Sequence, residues 1–243
     1  MRILKVDAID STNTFLRDLV RDKLPKEVIC VTTNYQYKGK GQMGTIWKSN
    51  AGENLICSVF VPIKTLVLRD QFYLAKAASL AVSDTLKELK LPQVTIKWPN
   101  DILSGKRKVC GILIENCVIN GSLVGAIVGI GLNVNQTYFA DLPKAASLRM
   151  ITKEEYKISL ILELILTSIN KRFISFSEEA MDMLKVDYEL ALFRKNKVST
   201  FSSYDDVLFT GIIKNVTRTG KLNLLLEDDE IRNFDLKELK MHY

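Results

Sequence analysis

Two long apolar runs, 109–119 and 122–130, meet at Asn120-Gly121, and no other feature of this sequence constrains its fold as tightly. Both central positions of a two-residue type I′ turn need positive φ, which Asn and Gly tolerate, and that turn matches the twist of the strands it joins. The segment therefore reads as a β-hairpin. Further strands are expected at 3–6, 28–33, 55–61 and 94–97. Residues 70–89 read as an amphipathic helix with Phe72, Ala75, Ala78, Val82, Leu86 and Leu89 down one stripe, ended by Leu91-Pro92. A helix should also follow Asp10-Ser11-Thr12-Asn13, where Phe15, Leu16, Leu19 and Val20 have helical spacing and Ser or Asp can cap the start. After the polar stretch 133–143, two more helical patterns cover 153–173 and 177–193. Beyond about Arg194 the texture changes to short β-rich runs, 207–213, 222–226 and 231–234, separated by turn clusters. The expected class is α+β, a mixed sheet with helices packed on it at 1–190, then a small β domain at 191–243.

Composition narrows the function. The 243 residues are 47 % hydrophobic and 26 % charged, values that belong to a globular chain with ample core. No run approaches the roughly 18 apolar residues of a membrane span, and the N-terminus turns polar too soon for a secretory signal. Cys30, Cys57, Cys110 and Cys117 form no C-x-x-C pair and lie in apolar, β-branched surroundings, as expected of buried thiols in a reducing cytoplasm. Zinc-ligand spacings are missing. The only histidine is His242, so Ser-His-Asp and Cys-His mechanisms are excluded.

The net charge of +6 is concentrated. Segment 28–52 carries Lys38, Lys40 and Lys48 with no acid, and segment 94–108 carries Lys97, Lys106, Arg107 and Lys108 against Asp101. Each nets +3, so the rest of the chain sums to zero. Nucleic-acid surfaces spread positive charge along a face, whereas two short glycine-containing segments fit a pocket for a small polyphosphate. Two solvated loops would give the same count.

Gly39-Lys40-Gly41-Gln42-Met43-Gly44 matches G-x-G-x-x-G, but a polar stretch and a strand follow it where a dinucleotide site needs a helix. No kinase signatures accompany it either. What remains is a backbone able to form a nest around an anion, or a plain surface loop. Lys97-Trp98-Pro99-Asn100-Asp101 is a turn crowded with polar heads, or one with Trp98 as an apolar plug and Asp101 as a cap. A basic run, 106–108, precedes the apolar strand that contains Gly111. Gly129-Ile130-Gly131-Leu132-Asn133-Val134-Asn135 ends a strand in Gly and Asn; an Asn amide can read an adenine edge, or simply terminate a strand.

The order of these motifs is more telling than any one of them. D-S-T-N at 10–13, Gln36 before K-G-K-G-Q-M-G-T-I-W, then K-W-P-N-D, R-K-V-C-G-I-L-I-E and G-I-G-L-N-V-N together resemble the biotin–protein ligase family, from about Ile9 to Asn135 and weakly through the tail. The resemblance implies a biotin/lipoate ligase-like catalytic domain followed by an SH3-like barrel. It also implies two half-reactions: biotin and ATP give biotinyl-5′-AMP and pyrophosphate, with Mg²⁺, and the adenylate then acylates a lysine in the biotin-carrier domain of a carboxylase. Carried over by motif, Ser11, Thr12, Asn13 and Gln36 hold biotin, with Gly39, Lys40, Gly41 and Gly111 shaping its site. Lys108 binds the carboxylate and α-phosphate oxygens. Gln42, Trp47, Asn100 and Asn133 face the nucleotide, and Asp101 orients the incoming lysine. Lys40, Lys108 and Asp101 form the implied catalytic set.

Three positions depart from the family pattern. Lys40, Gln42 and Thr45 stand where relatives carry arginine, which costs the bidentate fork at one and the charge at two. The D-S-T-N motif begins at residue 10, which leaves no room before it for the helix-turn-helix of members that double as repressors. A monofunctional monomer or homodimer without nucleic-acid or membrane partners is the expectation. The enzyme rival is a lipoate–protein ligase or octanoyltransferase. The non-enzyme rival, a nucleic-acid-binding module, is disfavoured by a tail with nine basic and eight acidic residues from Arg194 onward.

Overall fold

The computed structural model describes residues 1–21, 24–140 and 142–243; Asp141, inside the polar stretch, lies outside them. Seven strands form the main sheet: β1 (Arg2–Ile9), β2 (Ile29–Gln36), β3 (Leu55–Pro62), β4 (Val94–Lys97), β5 (Asp101–Ser104), β6 (Arg107–Ile119) and β7 (Ser122–Leu132). Their order is β1-β2-β3-β7-β6-β5-β4; β1 and β2 are parallel and all other pairs antiparallel. The β6–β7 hairpin turns at Asn120 (φ 49°) and Gly121 (φ 76°), as the Asn-Gly pair requires. Strand β1 is longer than the apolar 3–6 run, because parallel pairing with β2 extends it to Ile9↔Gln36.

Alternate residues of the central strands serve two cores. Ile29, Val31, Phe60 and Ile127 meet Leu16 and Val20 of α1 (Thr12–Arg21) on one face. Cys30, Cys57, Val59 and Val61 face the larger core built on α2 (Phe72–Glu88), α4 (Ile158–Arg172) and α5 (Glu178–Leu190). Full burial of Leu16 or Phe60 contributes roughly 1.5–3 kcal/mol each. The short helix α3 (Leu148–Thr152) precedes α4. Helix α2 departs from the expected single stripe: it is buried around nearly its whole circumference, with Ala75 only partly so, because α4 and α5 cover the side turned from the sheet. It even buries Lys76, whose ammonium sits 4.3 Å from the Tyr73 ring centroid and whose pKa burial pushes down to about 8. Helix α4 starts at Ile158 instead of 153, since Lys153 takes φ 67° and closes α3. No helix among the described residues is long and apolar enough to cross a membrane.

The second sheet has the order β11-β10-β9-β8-β12, with β8 (Val198–Ser203), β9 (Leu208–Val216), β10 (Leu222–Leu225), β11 (Ile231–Phe234) and β12 (Leu239–His242). Sequence patterning missed β8 and β12, which are rich in Ser, Thr, Lys and His. The chain passes from one sheet to the other along β4, where Ile96 N–H donates to Ala191 and Phe193 N–H donates to Ile96. Two further contacts fix the junction. Trp98 Nε1 donates to the Gly220 carbonyl at 2.9 Å, and Gly220 (φ 97°) lies so close to Phe72 that a Cβ would come within 2.6 Å of its ring. Arg218 clamps Asp70 at 2.5 and 2.7 Å and Glu178 at 2.9 Å, holding both carboxyls below the usual carboxylate range. All four cysteines are free; Cys30, Cys57 and Cys110 are buried, and burial raises the Cys110 thiol.

Candidate active site

Polar side chains gather into a pocket-like cluster where α1 begins over the sheet. Ser11 precedes the helix with its Oγ 3.5 Å from the Thr14 N–H. Thr12 donates its N–H and Oγ1 to Gln36 Oε1 at 2.7 and 3.0 Å, joining the helix start to the end of β2. Ser58, the one polar side chain in the otherwise apolar β3, donates towards Thr12 Oγ1 at 2.7 Å and Asn13 Oδ1 at 2.6 Å. Gly129 leaves room for Asn13; a Cβ there would stand 3.0 Å from its Cγ. Asn13 is 3 % exposed, yet its Nδ2 has no partner among the described residues, where buried donors are normally bonded.

The glycine-rich segment closes over this pocket. Trp47 N–H donates to Gly39 O, Gly41 N–H to Thr45 O, and Lys40 bridges Ile46, so residues 39–47 fold into a narrow loop turning at Gln42–Gly44. Gly39 admits no side chain: a Cβ would run into the Trp47 carbonyl and stand 2.9 Å from Gln36 Nε2. The far end of the segment is pinned by Asn54, which accepts from Val134 N–H and donates to Gln136 at 2.6 Å. Trp47 reaches inward onto Gly111 and Gly131, which face each other across β6 and β7 and cut a slot for the indole. Its buried Nε1 has no partner among the described residues. Lys40 is exposed and Gln42 half-buried at the tip, so the loop does not bring the Lys40 ammonium into an ion pair with Asp101.

The second basic segment arrives from the other side. Lys108, in β6, is fixed by backbone bonds to Lys144 and Ala146. Its Nζ lies 5.8 Å from the Trp47 ring and 2.6 Å from Asp101 Oδ1, while Lys97 Nζ approaches Asp101 Oδ2 at 3.9 Å. Burial pushes Lys97 below the usual lysine range, opposed by Asp101. Asn100 is buried and donates to the Ile112 carbonyl beside Gly111. Tyr188, from α5, donates to the Pro99 carbonyl at 2.9 Å and steadies the turn from behind. Asn133 is buried at the end of β7, with its Nδ2 donating to Ala146 O at 3.1 Å. A 160 Å³ cavity behind the turn is lined by Trp98 and Pro99 together with Phe201, Ile213 and Leu222 of the second sheet.

Gln36, Gly39, Trp47, Gly111, Lys108 and Asp101 therefore form an unbroken series of neighbours, and both lysine-bearing segments converge on one place. Ser58 escaped the sequence reading, and Gly129 and Gly131 were read only as a strand end and part of a motif. A serine inside an apolar strand and the alternation of Gly129 and Gly131 in β7 were the available signals.

Comparison with known proteins accounts for this arrangement. A model of the Biotin/lipoate A/B protein ligase family matches residues 6–133, just over half of the chain. The chain belongs to this family. Among its members, the Bifunctional ligase/repressor BirA of Bacillus subtilis is 30 % identical over 193 residues, 75 % of this chain and 57 % of its own length. The chain thus spans little more than half of that relative. The Biotin--[acetyl-CoA-carboxylase] ligase of Mycobacterium tuberculosis is 28 % identical over 220 residues, covering 88 % of this chain and 79 % of its own. A solved structure described as a biotin protein ligase from Aquifex aeolicus in complex with biotin and ATP superposes with a TM-score of 0.80 at 24 % identity, over 99 % of this chain and 98 % of that one. The fold is that of the biotin protein ligases, including the small all-β unit after the main sheet.

Proposed function

We propose that this family member activates biotin with ATP and transfers it to a lysine of a carboxylase's biotin-carrier domain. One observation carries the reading: a polar cluster of buried Ser11, Thr12, Asn13 and Ser58 with half-buried Gln36 connects, through Gly39, Trp47 and Gly111, to the Lys108–Asp101 pair. Biotin's ureido ring offers a carbonyl acceptor and two N–H donors, which match the unpartnered Asn13 Nδ2 and the hydroxyl and amide oxygens around it. A lipoyl or octanoyl chain has no such groups and would leave Asn13 Nδ2 buried without a partner, which disfavours the lipoate alternative.

A carboxylate is already a nucleophile at neutral pH, so the first step needs no base. Its oxygen forms a bond to the α-phosphorus as the bond to the bridging oxygen breaks, and pyrophosphate leaves with the electron pair. Positioning and charge stabilisation are what the protein must supply. Lys108 turns from Asp101 towards the carboxylate and α-phosphate oxygens, Trp47 walls the nucleotide, and Asn133 and Asn100 frame the base. Asp101, released by Lys108, is then free to orient the acceptor amine and take up its proton. Among the described residues no group of three His, Cys, Asp or Glu side chains could hold a metal ion, so Mg²⁺ would enter together with the triphosphate. It neutralises phosphate charge when bound. The catalytic unit is read as 1–190, with 191–243 as its β module, acting without nucleic acid or membrane in the cytoplasm.

Incubation with ATP, Mg²⁺, biotin and a carrier domain, followed by an avidin blot, tests the reading. Biotin-dependent labelling is expected; exchange of ATP and pyrophosphate driven by lipoate instead would replace biotin with the rival acid. Two variants refine it. Gln36→Ala removes the acceptor shared by Thr12 N–H and Oγ1 and should raise KM for biotin roughly tenfold while leaving KM for ATP within twofold. Gln42→Arg restores a charge that family relatives carry in the glycine loop and should slow release of biotinyl-5′-AMP in the absence of acceptor. Release unaltered by that change would remove the loop from adenylate retention.

A further inference from the structure

The glycine loop is closed by its own hydrogen bonds, and Thr45 stands at the centre of them. Its Oγ1 and its N–H both donate to the Gln42 carbonyl, at 2.7 and 3.1 Å. Its own carbonyl accepts the Gly41 N–H at 2.7 Å. Lys40 and Ile46 bridge just outside this turn, and Trp47 N–H reaches Gly39 O at 3.0 Å. The result is a narrow ribbon whose base is the indole seated against Gly111 and Gly131. Gly41 is fitted to Thr45: a Cβ there would overlap Oγ1 and stand 3.3 Å from the Thr45 carbonyl oxygen. At the tip Met43 takes φ 52°, a left-handed conformation that a side-chain-bearing residue adopts only with support. The doubly bonded Gln42 carbonyl, directly before it, supplies that support. An arginine at 45, as in the family pattern, would carry its donors at the end of a long stem, away from that carbonyl. A β-branched hydroxyl has its donor one bond from Cβ and few rotamers to choose from.

We propose that Thr45 is a positioning residue whose hydroxyl latches the glycine loop shut before any ligand arrives. The latch itself follows from the loop's geometry; its consequence for catalysis rests on the ligase reading. A segment that must order on binding loses conformational freedom, and that loss subtracts from the affinity its contacts provide. A segment already closed keeps the full value of its contacts. With Lys40, Gln42 and Thr45 in place of arginines, this loop has less charge with which to hold an adenylate, and the latch offsets the deficit by removing the cost of ordering. The Thr45 bond is exposed, so its loss should loosen the loop without abolishing activity.

The test uses the full chain and two variants. Thr45→Val keeps the branched shape and removes the hydroxyl, whereas Thr45→Ser keeps the hydroxyl. The first measurement is tryptic cleavage after Lys40 without ligand, which follows the population of the opened loop. Thr45→Val should be cut roughly fivefold faster than wild type, and Thr45→Ser within twofold of it. The second is release of biotinyl-5′-AMP in the absence of acceptor. It should quicken by about the same factor in Thr45→Val and recover in Thr45→Ser, with KM for biotin within twofold throughout. Equal cleavage of wild type and Thr45→Val overturns the latch. An equal loss in Thr45→Ser assigns the effect to the methyl group and also overturns it. Faster cleavage with unaltered release overturns the positioning role. Faster cleavage of Thr45→Val alongside a wild type that makes no biotinyl-5′-AMP overturns the ligase reading and leaves the latch standing.

Discussion

Lys108→Ala is expected to lower the rate of biotin-dependent ATP–pyrophosphate exchange by about two to three orders of magnitude, the usual consequence of removing one preorganised charge from a developing oxyanion. The effect should fall mainly on kcat, with binding of free biotin weakened only by loss of its carboxylate contact, because the ureido cluster at Ser11, Thr12, Asn13 and Gln36 does not use this lysine. Melting temperature should move little. Lys108 is about one-third exposed, its ion pair is solvent-screened, and Lys97 remains 3.9 Å from Asp101 to compensate it. Lys108→Arg restores charge on a longer, planar head, and the Gly111 backbone beside it leaves little room, so only partial recovery is expected. Exchange within threefold of wild type in the alanine variant would remove Lys108 from the chemistry and leave the Trp47 and Asn133 contacts as nucleotide binders without a catalytic charge.

The candidate site was readable from the order of its motifs, since each alone also fits a plain turn or loop. The Lys-Trp-Pro-Asn-Asp run by itself suits a turn plugged by Trp98 and capped by Asp101, whereas Asn120-Gly121 has few homes besides a type I′ turn. Elements read from apolar periodicity came through where one face is wet and failed where context took over. Helix α2 lost its stripe because two helices cover its outer side, and β8 and β12 carry too few apolar residues to announce themselves. The contacts of Ser58 and Gly131 were illegible for another reason. Both residues meet a partner distant in sequence: Ser58 meets Thr12 and Asn13, and Gly131 meets Trp47. Single-sequence patterns carry local spacing, and these contacts are set by which strands become neighbours.

Gly131→Ala should be the most damaging single-methyl change in the site. The added Cβ would lie 2.7 Å from Trp47 Cζ2 and 2.8 Å from Nε1, closer than packed atoms tolerate. Strand β7 cannot retreat, because Gly131 is laddered to Ile56 of β3 on one side and Gly111 of β6 on the other. The indole must leave instead. With it goes the inward anchor of the glycine loop, whose remaining ties are the Gly39–Trp47 backbone bond and the Asn54–Gln136 pair at the far end. A displacement of about 1 Å at a positioning group can cost about 100-fold in rate, and that is the loss expected in adenylate formation. Stability should fall by about 1–3 kcal/mol, the ordinary range for overpacking. Only two tryptophans contribute to fluorescence, and Trp98 is buried at the junction of the two sheets, so a red shift on substitution reports Trp47 moving into water. The double variant Gly131→Ala/Trp47→Ala separates clash from function: removing the ring relieves the collision and should return stability towards that of Trp47→Ala alone, whereas activity should stay low because the wall of the nucleotide site is gone. Gly111→Ala, whose Cβ would stand 3.0 Å from the indole edge and 3.4 Å from Lys108 Nζ, should show a milder form of both effects. Equal activity in wild type and Gly131→Ala would mean that the indole does not need its slot, and the convergence of loop and strand on which the site depends would lose its function.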